Sequence, residues 1–561
     1  MTVAVLAGLA LFFWGIENYN ARNEATYFQK KLVKRFGEMS DKEYSLERFA
    51  KIGSYYRKHR EPGQIDDITW NDLDMDEIFM RMDYSLSATG EEYLYYRLRT
   101  PIYEEDKMQQ MEKNICYFTE HDEERIKVQM LMRKLGFTGK YSLYDYLDNL
   151  DNLGKRSNVK HYILDLMYIP ATILMAVNFS LGFFVFILVM VWGIVTYFKE
   201  KGEINPYIVS LGFVMRLYAL SRELDKLQLH GFEQQMQMLE KGRNSLKKMY
   251  RGSFWVMSGQ NSNATGGNPA EMILDYVRMI FHPDLIKFNR MLHVLRDKYA
   301  ELDDMITAAG YLESMISIAS YRASLKNGYC VPEFAKNAAP CLEIEHGYHP
   351  MLNEPVKNSI ITGDSILLTG SNASGKSTFL KTVALCAIMA QTVHTVTADA
   401  YRAPMFAVFS AMSLRDSLMS GESYYIVEIK AIKRIMDEIR AKRNDVPVLC
   451  FVDEVLRGTN TIERIAAAAQ ILKKISEDGA LCFAATHDIE LTELLKEHYV
   501  SYHFAEAIRE GDIVFDYQLR EGKAGTRNAI GLLKILGYPP EITDGATECA
   551  KYFEQSGNWK L

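Results

Sequence analysis

The chain has 561 residues, room for two to four domains, and its balance of 48% hydrophobic to 24% charged residues excludes a disordered chain. A formal charge of −7 argues against a globally basic nucleic-acid coat and leaves room only for a local basic groove. The seven cysteines are scattered, with no Cys-x-x-Cys pair, which argues against a disulfide frame or a zinc site and fits reduced, buried thiols.

In chain order, the first element is "MTVAVLAGLALFFWGI", residues 1–16. As a helix it would span roughly 24 Å, short of the ~30 Å hydrocarbon core. No Lys or Arg precedes it and no cleavage site is obvious, so it reads as a short membrane anchor rather than a signal peptide. Lys30, Lys31, Lys34 and Arg35 then fall on the cytoplasmic side. Residues 17–161 are mostly helical and highly charged; within them "LSATGEEYLYYRLRTPI" predicts a helix starting at Thr89 or Gly90 and stopping before Pro101.

Residues 162–198 carry a single charge, Asp165. The run is too long for one span of about 20 residues and enough for two short ones. Asn178, Ser180 and Gly182 are its turn-like residues, so it predicts a helical hairpin. Lys155, Arg156 and Lys160 before it, and Lys199 and Lys201 after it, place both ends in the cytoplasm. The alternative is a pair of buried core helices, but such helices show a polar stripe and "FFVFILVMVWGIVTYF" has none. Beyond it, Tyr207 to about Tyr250 reads as one long amphipathic stretch, followed by the loop "SGQNSNATGGN". A helix restarts with Asn268 as cap and Pro269 at its first position, and helix continues to about Leu325. "KGRNSLKKMYR", Lys241 to Arg251, could meet nucleic-acid phosphates or form a solvated face beside an anionic membrane. From Cys341, β-rich runs alternate with helices, which predicts an α/β domain with a mostly parallel sheet.

That last region carries chemistry. "SILLTG" is a strand running into Gly370-x-x-x-x-Gly375-Lys376-Ser377, and "TFLKTVALCAIMA" is a helix: the strand, glycine turn and helix of a P-loop. Glycines let successive N–H groups turn inward around phosphate oxygens, and the helix N-terminus adds partial positive charge. Lys376 would reach the β- and γ-phosphates, and Ser377 would offer a hydroxyl to Mg²⁺. Val448 to Val452 is a buried-type strand ending in Asp453, a Mg²⁺ holder, and Glu454, the residue placed to deprotonate water. "ALCFAATHD" is a third strand, ending at Thr486-His487, where His487 could touch the γ-phosphate. Ser420-Gly421-Glu422-Ser423 lies between P-loop and Asp453; that order, closed by His487, is the order of ABC-class ATPases.

At this point the residues resemble the MutS mismatch-repair family. "TGSNASGKSTFLK" is similar to its P-loop, "SLMSGESYYIVEI" to its signature, "DEVLRGTNT" to its Walker B and dimer-contact loop, "FAATHDIELTEL" to its switch-histidine strand and "EGKAGTRNAIGLLKILGYPPEI" to its C-terminal end. "IEHGYHPML" resembles the entry to the ATPase domain, and "SATGEEYLYYRLRTPIYEED" the start of the helical core and lever. The resemblance implies that Gly370, Ser371, Asn372, Ala373, Ser374, Gly375, Lys376, Ser377 and Thr378 bind ATP, with Ser377 and Asp453 on Mg²⁺. Glu454, His487 and Lys376 would be catalytic. Ser423 would contact the partner's nucleotide in trans, with Arg457 to Thr461 at the same interface, so a homodimer with two composite sites is implied.

The implied fold is an α/β P-loop (ABC-class) ATPase domain preceded by an all-α core/lever domain with transmembrane helices. The expected boundaries are an anchor at 1–16, lever parts at 17–161 and 199–335, a hairpin at 162–198 and the ATPase domain at 336–561. There are departures from the family. Phe36-Gly37-Glu38 and Phe504-Ala505-Glu506 match the family's Phe-x-Glu wedge in letters but not in surroundings. No segment for the sensing and connector domains, no β-rich clamp and no nuclease-type tail is expected, and Val356 stands where an aromatic base-stacker often follows "NEP". The expected function is a multi-pass protein of the inner (cytoplasmic) membrane, with its ATPase domain in the cytoplasm. It would be a MutS-like ATPase whose dimer closes on ATP and which binds mismatched double-stranded DNA. The alternative is a membrane-anchored mechanical ATPase acting on a protein or envelope partner. Three short spans without pore-lining charges argue against an ABC transporter.

Overall fold

The structure is a computed structural model. It describes residues 19–20, 22–139, 141–154, 156–257, 269–335, 341–371, 374–412, 424–441, 446–457, 459–509, 512–523, 529–535 and 537–560. The expected anchor at 1–16, Lys155, Asn268, Gly458 and the Ser420–Ser423 turn lie outside those residues. Two compact units form, one from Met1–Arg60, Met82–Tyr96 and Gln110–Ser324, the other from Glu61–Arg81, Arg97–Gln109 and Leu325–Leu561.

The first unit is helical. Helix α1 (Leu46–Lys58) is capped by the Ser45 side chain, which accepts the Arg48 N–H at 3.3 Å. Helix α2 (Ala88–Arg99) starts one residue earlier than the sequence suggests, with Ser87 Oγ accepting the Gly90 N–H at 3.3 Å, and it stops before Pro101. Helix α8 (Tyr299–Ser324) crosses α2 on two reciprocal glycines. A Cβ on Gly310 would meet Tyr93 Cβ at 2.5 Å, and one on Gly90 would meet the Glu313 carboxylate at 2.1 Å. Glu313 is fully buried; it accepts the Leu86 N–H at 2.5 Å and the Ser87 hydroxyl, and burial pushes its pKa up to about 8.

The predicted hairpin is present as α3 (Val159–Val177) and α4 (Phe179–Leu224), with Asn178 alone between them. Asn178 caps α4 by accepting the Leu181 N–H at 3.2 Å. At Gly182 the helices touch so closely that a Cβ would lie 2.1 Å from the Met175 backbone nitrogen, so only glycine fits. Helix α4 runs on for 46 residues, through Pro206. Of its most apolar stretch only 17% is buried, and among the described residues it is the one helix long and apolar enough to cross a membrane. Phe184, Trp192 and Val195 of α4, and Leu166 and Ile173 of α3, each stand about 60% exposed, with values of 58–64%.

The stretch read as continuous from Tyr207 to Tyr250 is broken. The chain turns at Gln228 (φ 48°) and Gly231 (φ 84°) before α5 (Glu233–Tyr250) begins. Helix α5 packs on α8 at Gly242, where a Cβ would meet Met305 Cγ at 2.2 Å. Helices α6 (Pro269–Phe281) and α7 (Pro283–Asp297) complete this side of the unit.

The second unit is α/β. Its strands are β1 (Glu333–Phe334), β2 (Leu342–Gly347), β3 (Asn358–Thr362), β4 (Ser365–Thr369), β5 (Ala400–Ala403), β6 (Ala407–Ala411), β7 (Val448–Asp453), β8 (Leu481–Ala485), β9 (Tyr499–Arg509) and β10 (Asp512–Glu521). A small sheet has the order β1-β5-β2-β3; the main sheet has the order β10-β9-β4-β8-β7-β6 and is parallel except for the antiparallel edge strand β10. β4 and β8 are buried along their whole length, as apolar runs in a covered parallel sheet must be. Helix α9 (Lys376–Val393) follows β4, α10 (Tyr424–Ala441) precedes β7, and α11 (Thr461–Glu477) lies between β7 and β8. The α/β core joins Leu367, Cys450, Val452, Cys482 and Ala484 with Ile435 of α10 and Leu472 of α11.

Candidate nucleotide site

In an open parallel sheet, ligands bind beyond the carboxyl ends of the strands. Here Leu368 of β4 and Asp453 of β7 both pair with Ala485 of β8, so the three strands end at one level. The residues that follow each strand therefore meet: the Gly370–Gly375 turn, Glu454, and Thr486-His487.

Gly370 (φ 147°) and Gly375 (φ 106°) hold backbone angles that side-chain-bearing residues rarely adopt. A Cβ on Gly370 would meet Ser374 Oγ at 2.9 Å and the Phe504 carbonyl oxygen at 3.1 Å. Lys376 opens α9 and is buried; its ammonium donates to the carbonyls of Gly370 and Ser371, both at 2.8 Å, so it closes the turn on itself. Ser377 Oγ donates to Asp453 Oδ2 at 2.5 Å. Burial holds the Asp453 carboxyl above its ordinary range, with Glu454 beside it pushing the same way and Ser377 opposing.

Glu454 continues the β7–β8 pairing by donating its N–H to Ala485 O at 2.9 Å, in a left-handed backbone conformation (φ 53°). Its Oε1 faces His487 Nε2 at 2.9 Å and its Oε2 accepts from Arg457 Nε at 2.8 Å. Behind it, buried Glu428 of α10 accepts the Leu456 N–H and fixes the loop.

These groups line one cleft of about 550 Å³. Ser374, Gly375, Lys376, Ser377, Thr378, Glu454 and His487 border it, while Asp453 lies behind Ser377. Gly370 and Ser371 stand at the turn through their carbonyls. Asn372, Ala373 and Ser423 lie outside the described residues. The cleft also holds Tyr517, Asn358, Phe379 and His349, which the sequence did not single out, beside Val356 and Phe504, which it named for other reasons. Tyr517 sits on a bulge of β10 between Phe515 and Leu519, in a left-handed conformation (φ 53°). Asn358 pins that bulge, donating to Tyr517 O at 2.9 Å and accepting from the Leu519 N–H at 2.8 Å. The ring lies over Gly375, whose added Cβ would be 3.1 Å from Tyr517 Cδ1. Phe379 and Phe504 pack edge to face with centroids 5.8 Å apart, and Val356 reaches the same cleft. Phe504 thus has a place in the cleft, apart from the Phe-x-Glu pattern it happens to complete. His349 also lines the cleft, and burial lowers its pKa to about 4, which keeps it neutral at physiological pH. The one legible hint was the aromatic-rich β-pair "YHFAE…FDYQL".

Comparison with known proteins converges on the same region. Residues 366–554 match the family model for MutS domain V. The DNA mismatch repair protein MutS of Streptococcus uberis is 32% identical over 271 residues, which cover 46% of this chain and 31% of that protein. The DNA mismatch repair protein MutS of Fusobacterium nucleatum is 28% identical over 396 residues, covering 63% of this chain and 43% of the relative. The DNA mismatch repair protein MSH3 of Phaeosphaeria nodorum is 28% identical over 287 residues, 48% of this chain and 25% of the relative. The matched regions therefore span 25–43% of the length of these curated relatives. The matches support the MutS family, with a helical N-terminal region and a C-terminal α/β domain consistent with it.

Proposed function

We propose that this chain is a membrane-associated MutS-like ATP hydrolase that uses Mg²⁺·ATP to drive closure of a homodimer acting on double-stranded DNA. The observation that carries the hydrolase reading is the convergence of Lys376, the Ser377–Asp453 pair and the Glu454–His487 pair on one cleft.

The residues present fit the nucleotide and its cation. A Cβ on Gly370 would crowd the Ser374 hydroxyl, and that buried hydroxyl has no hydrogen-bond partner among the described residues. Ser377 and Asp453 form a hydroxyl–carboxylate pair of the kind that holds Mg²⁺. Bound Mg²⁺·ATP supplies the scissile phosphoanhydride and a Lewis-acid cation. Lys376 would turn from the Gly370 and Ser371 carbonyls to phosphate oxygens, a stronger pairing in which both partners are charged. Glu454 would take the proton of the attacking water on a carboxylate oxygen. Each of its oxygens holds one partner, His487 on Oε1 and Arg457 on Oε2, and keeps a second lone pair for the water's proton. Arg457 is the more exposed of the two partners and its pairing is therefore the weaker restraint. Ser423 would complete the site of a second copy.

Membrane association is supported by the exposed apolar faces of α3 and α4, and DNA as the ligand by the names of the relatives. Salt-dependent duplex binding by the detergent-solubilised full chain tests the DNA part. Saturable binding that weakens with salt is expected. Absence of binding at low salt would turn the reading to the second one, a membrane-anchored mechanical ATPase with a protein or envelope partner, which the exposed hairpin favours.

A further inference from the structure

A cavity of about 980 Å³ opens within the helical unit beside the first two turns of α3. The end of α5, the short helix Phe254–Met257 and α7 wall it. Lys248, Arg251, Lys287 and Arg290 all reach it, and among the described residues none of the four is ion-paired to a carboxylate. Lys287 Nζ donates instead to the carbonyls of Lys248 at 3.3 Å and Arg251 at 2.7 Å, and Arg290 donates to the Tyr162 hydroxyl at 2.6 Å. Two carboxylates border the cavity: Asp297, which faces His293 at 3.4 Å, and Asp165. Cations are thus in excess; Lys248, Arg251 and Arg290 are exposed, while Lys287 is half-buried, and burial, with Arg290 nearby, holds it below the ordinary lysine range. The remaining wall is apolar, with Trp255 and Phe281, and α3 carries straight on into the exposed side chains Ile163, Leu166 and Ile169.

We infer that this cavity binds the phosphodiester headgroup of an anionic phospholipid, whose acyl chains lie along the outward faces of α3 and α4. The inference rests on the membrane reading above. A duplex would match the charge but leave Trp255, Phe281 and the apolar face of α3 in water; a phospholipid satisfies both. The basic run Lys241–Arg251 then supplies two of its cations to a lipid phosphate. Inorganic phosphate shares the headgroup's chemistry and differs in lacking the chains.

The test uses the full chain reconstituted in bilayer discs of phosphatidylcholine with a minor fraction of phosphatidylglycerol, extracted in mild detergent, with co-purifying lipid counted by mass spectrometry. Phosphatidylglycerol is expected to be enriched about tenfold over its share of the disc, and to fall to that share in Lys287→Gln/Arg290→Gln. Lys248→Gln/Arg251→Gln, which alters only exposed side chains, provides the same readout if the first variant fails to fold. Equal enrichment in wild type and variants, or none in wild type, overturns the proposal. Displacement of the lipid by equimolar inorganic phosphate, or by a duplex oligonucleotide at low salt, overturns the lipid as occupant. Alkaline carbonate extraction is run in parallel. A chain that leaves the membrane fraction yet binds soluble short-chain phosphatidylglycerol keeps the phosphate site and removes the membrane reading; a chain that stays and shows no enrichment does the reverse.

Discussion

Lys376 is buried at the mouth of the candidate nucleotide cleft, where its ammonium donates to two backbone carbonyls. Lys376→Ala removes the charge that a phosphate would meet, and nucleotide affinity should fall roughly 10–100-fold, the range for a charge-assisted hydrogen bond. Titration with a fluorescent ATP analogue checks it. The second prediction concerns Glu313, whose pKa in the folded protein, about 8, lies above the ordinary glutamate value of 4.5. The folded unit therefore holds a proton that the unfolded chain releases. That contribution to stability is complete below about pH 4.5 and is lost as pH rises through 8. Glu313→Gln should flatten the pH dependence of the melting temperature across this window, and an unchanged slope would contradict the assignment. Asp453 and Glu454 could be read from the sequence because an acidic pair ending an apolar strand downstream of a P-loop has few other uses. The pairing of Arg457 with Glu454 could not, since an exposed loop arginine carries no local pattern. Tyr517 reaches the cleft only through a bulge set by a distant residue, Asn358, which no nearby sequence specifies.

Helices in the first unit meet on glycines, and this fixes which substitutions they tolerate. Alanine at Gly310 would gain about 1 kcal/mol in helix propensity. Its Cβ would also stand 2.6 Å from the Thr89 carbonyl and 2.5 Å from Tyr93 Cβ, and backbone cannot swing away as a side-chain tip can. Overpacking of this kind costs about 1–3 kcal/mol, so after the propensity gain Gly310→Ala should lower stability by up to about 2 kcal/mol in chemical denaturation. The hairpin and α2 were legible because turn residues, flanking charges and Pro101 punctuate them. The interruption at Gln228–Gly231 was not, because the apolar pattern resumes in α5 and Gln228 adopts a left-handed angle that nothing in its type requires. The ends of the three strands read from the sequence were right to within two residues, since buried parallel strands appear as short apolar runs closed by chemistry-bearing residues.

At the scale of the whole molecule, an apolar hairpin and a candidate nucleotide cleft share one chain, and the proposed function ties hydrolysis to two copies meeting at a membrane. The full chain should remain in the pellet after alkaline carbonate extraction of membranes; release into the supernatant would remove the membrane part and leave the cleft untouched. The hydrolase part is tested most directly by comparing wild-type full-length protein with Glu454→Gln in detergent, measuring retained nucleotide, phosphate release and mass in one sample. Wild type should release phosphate only with Mg²⁺. Glu454→Gln should retain ATP as a dimer and release phosphate at least ~100-fold more slowly. Undiminished phosphate release by Glu454→Gln, or full-speed hydrolysis by a strict monomer, would contradict the account.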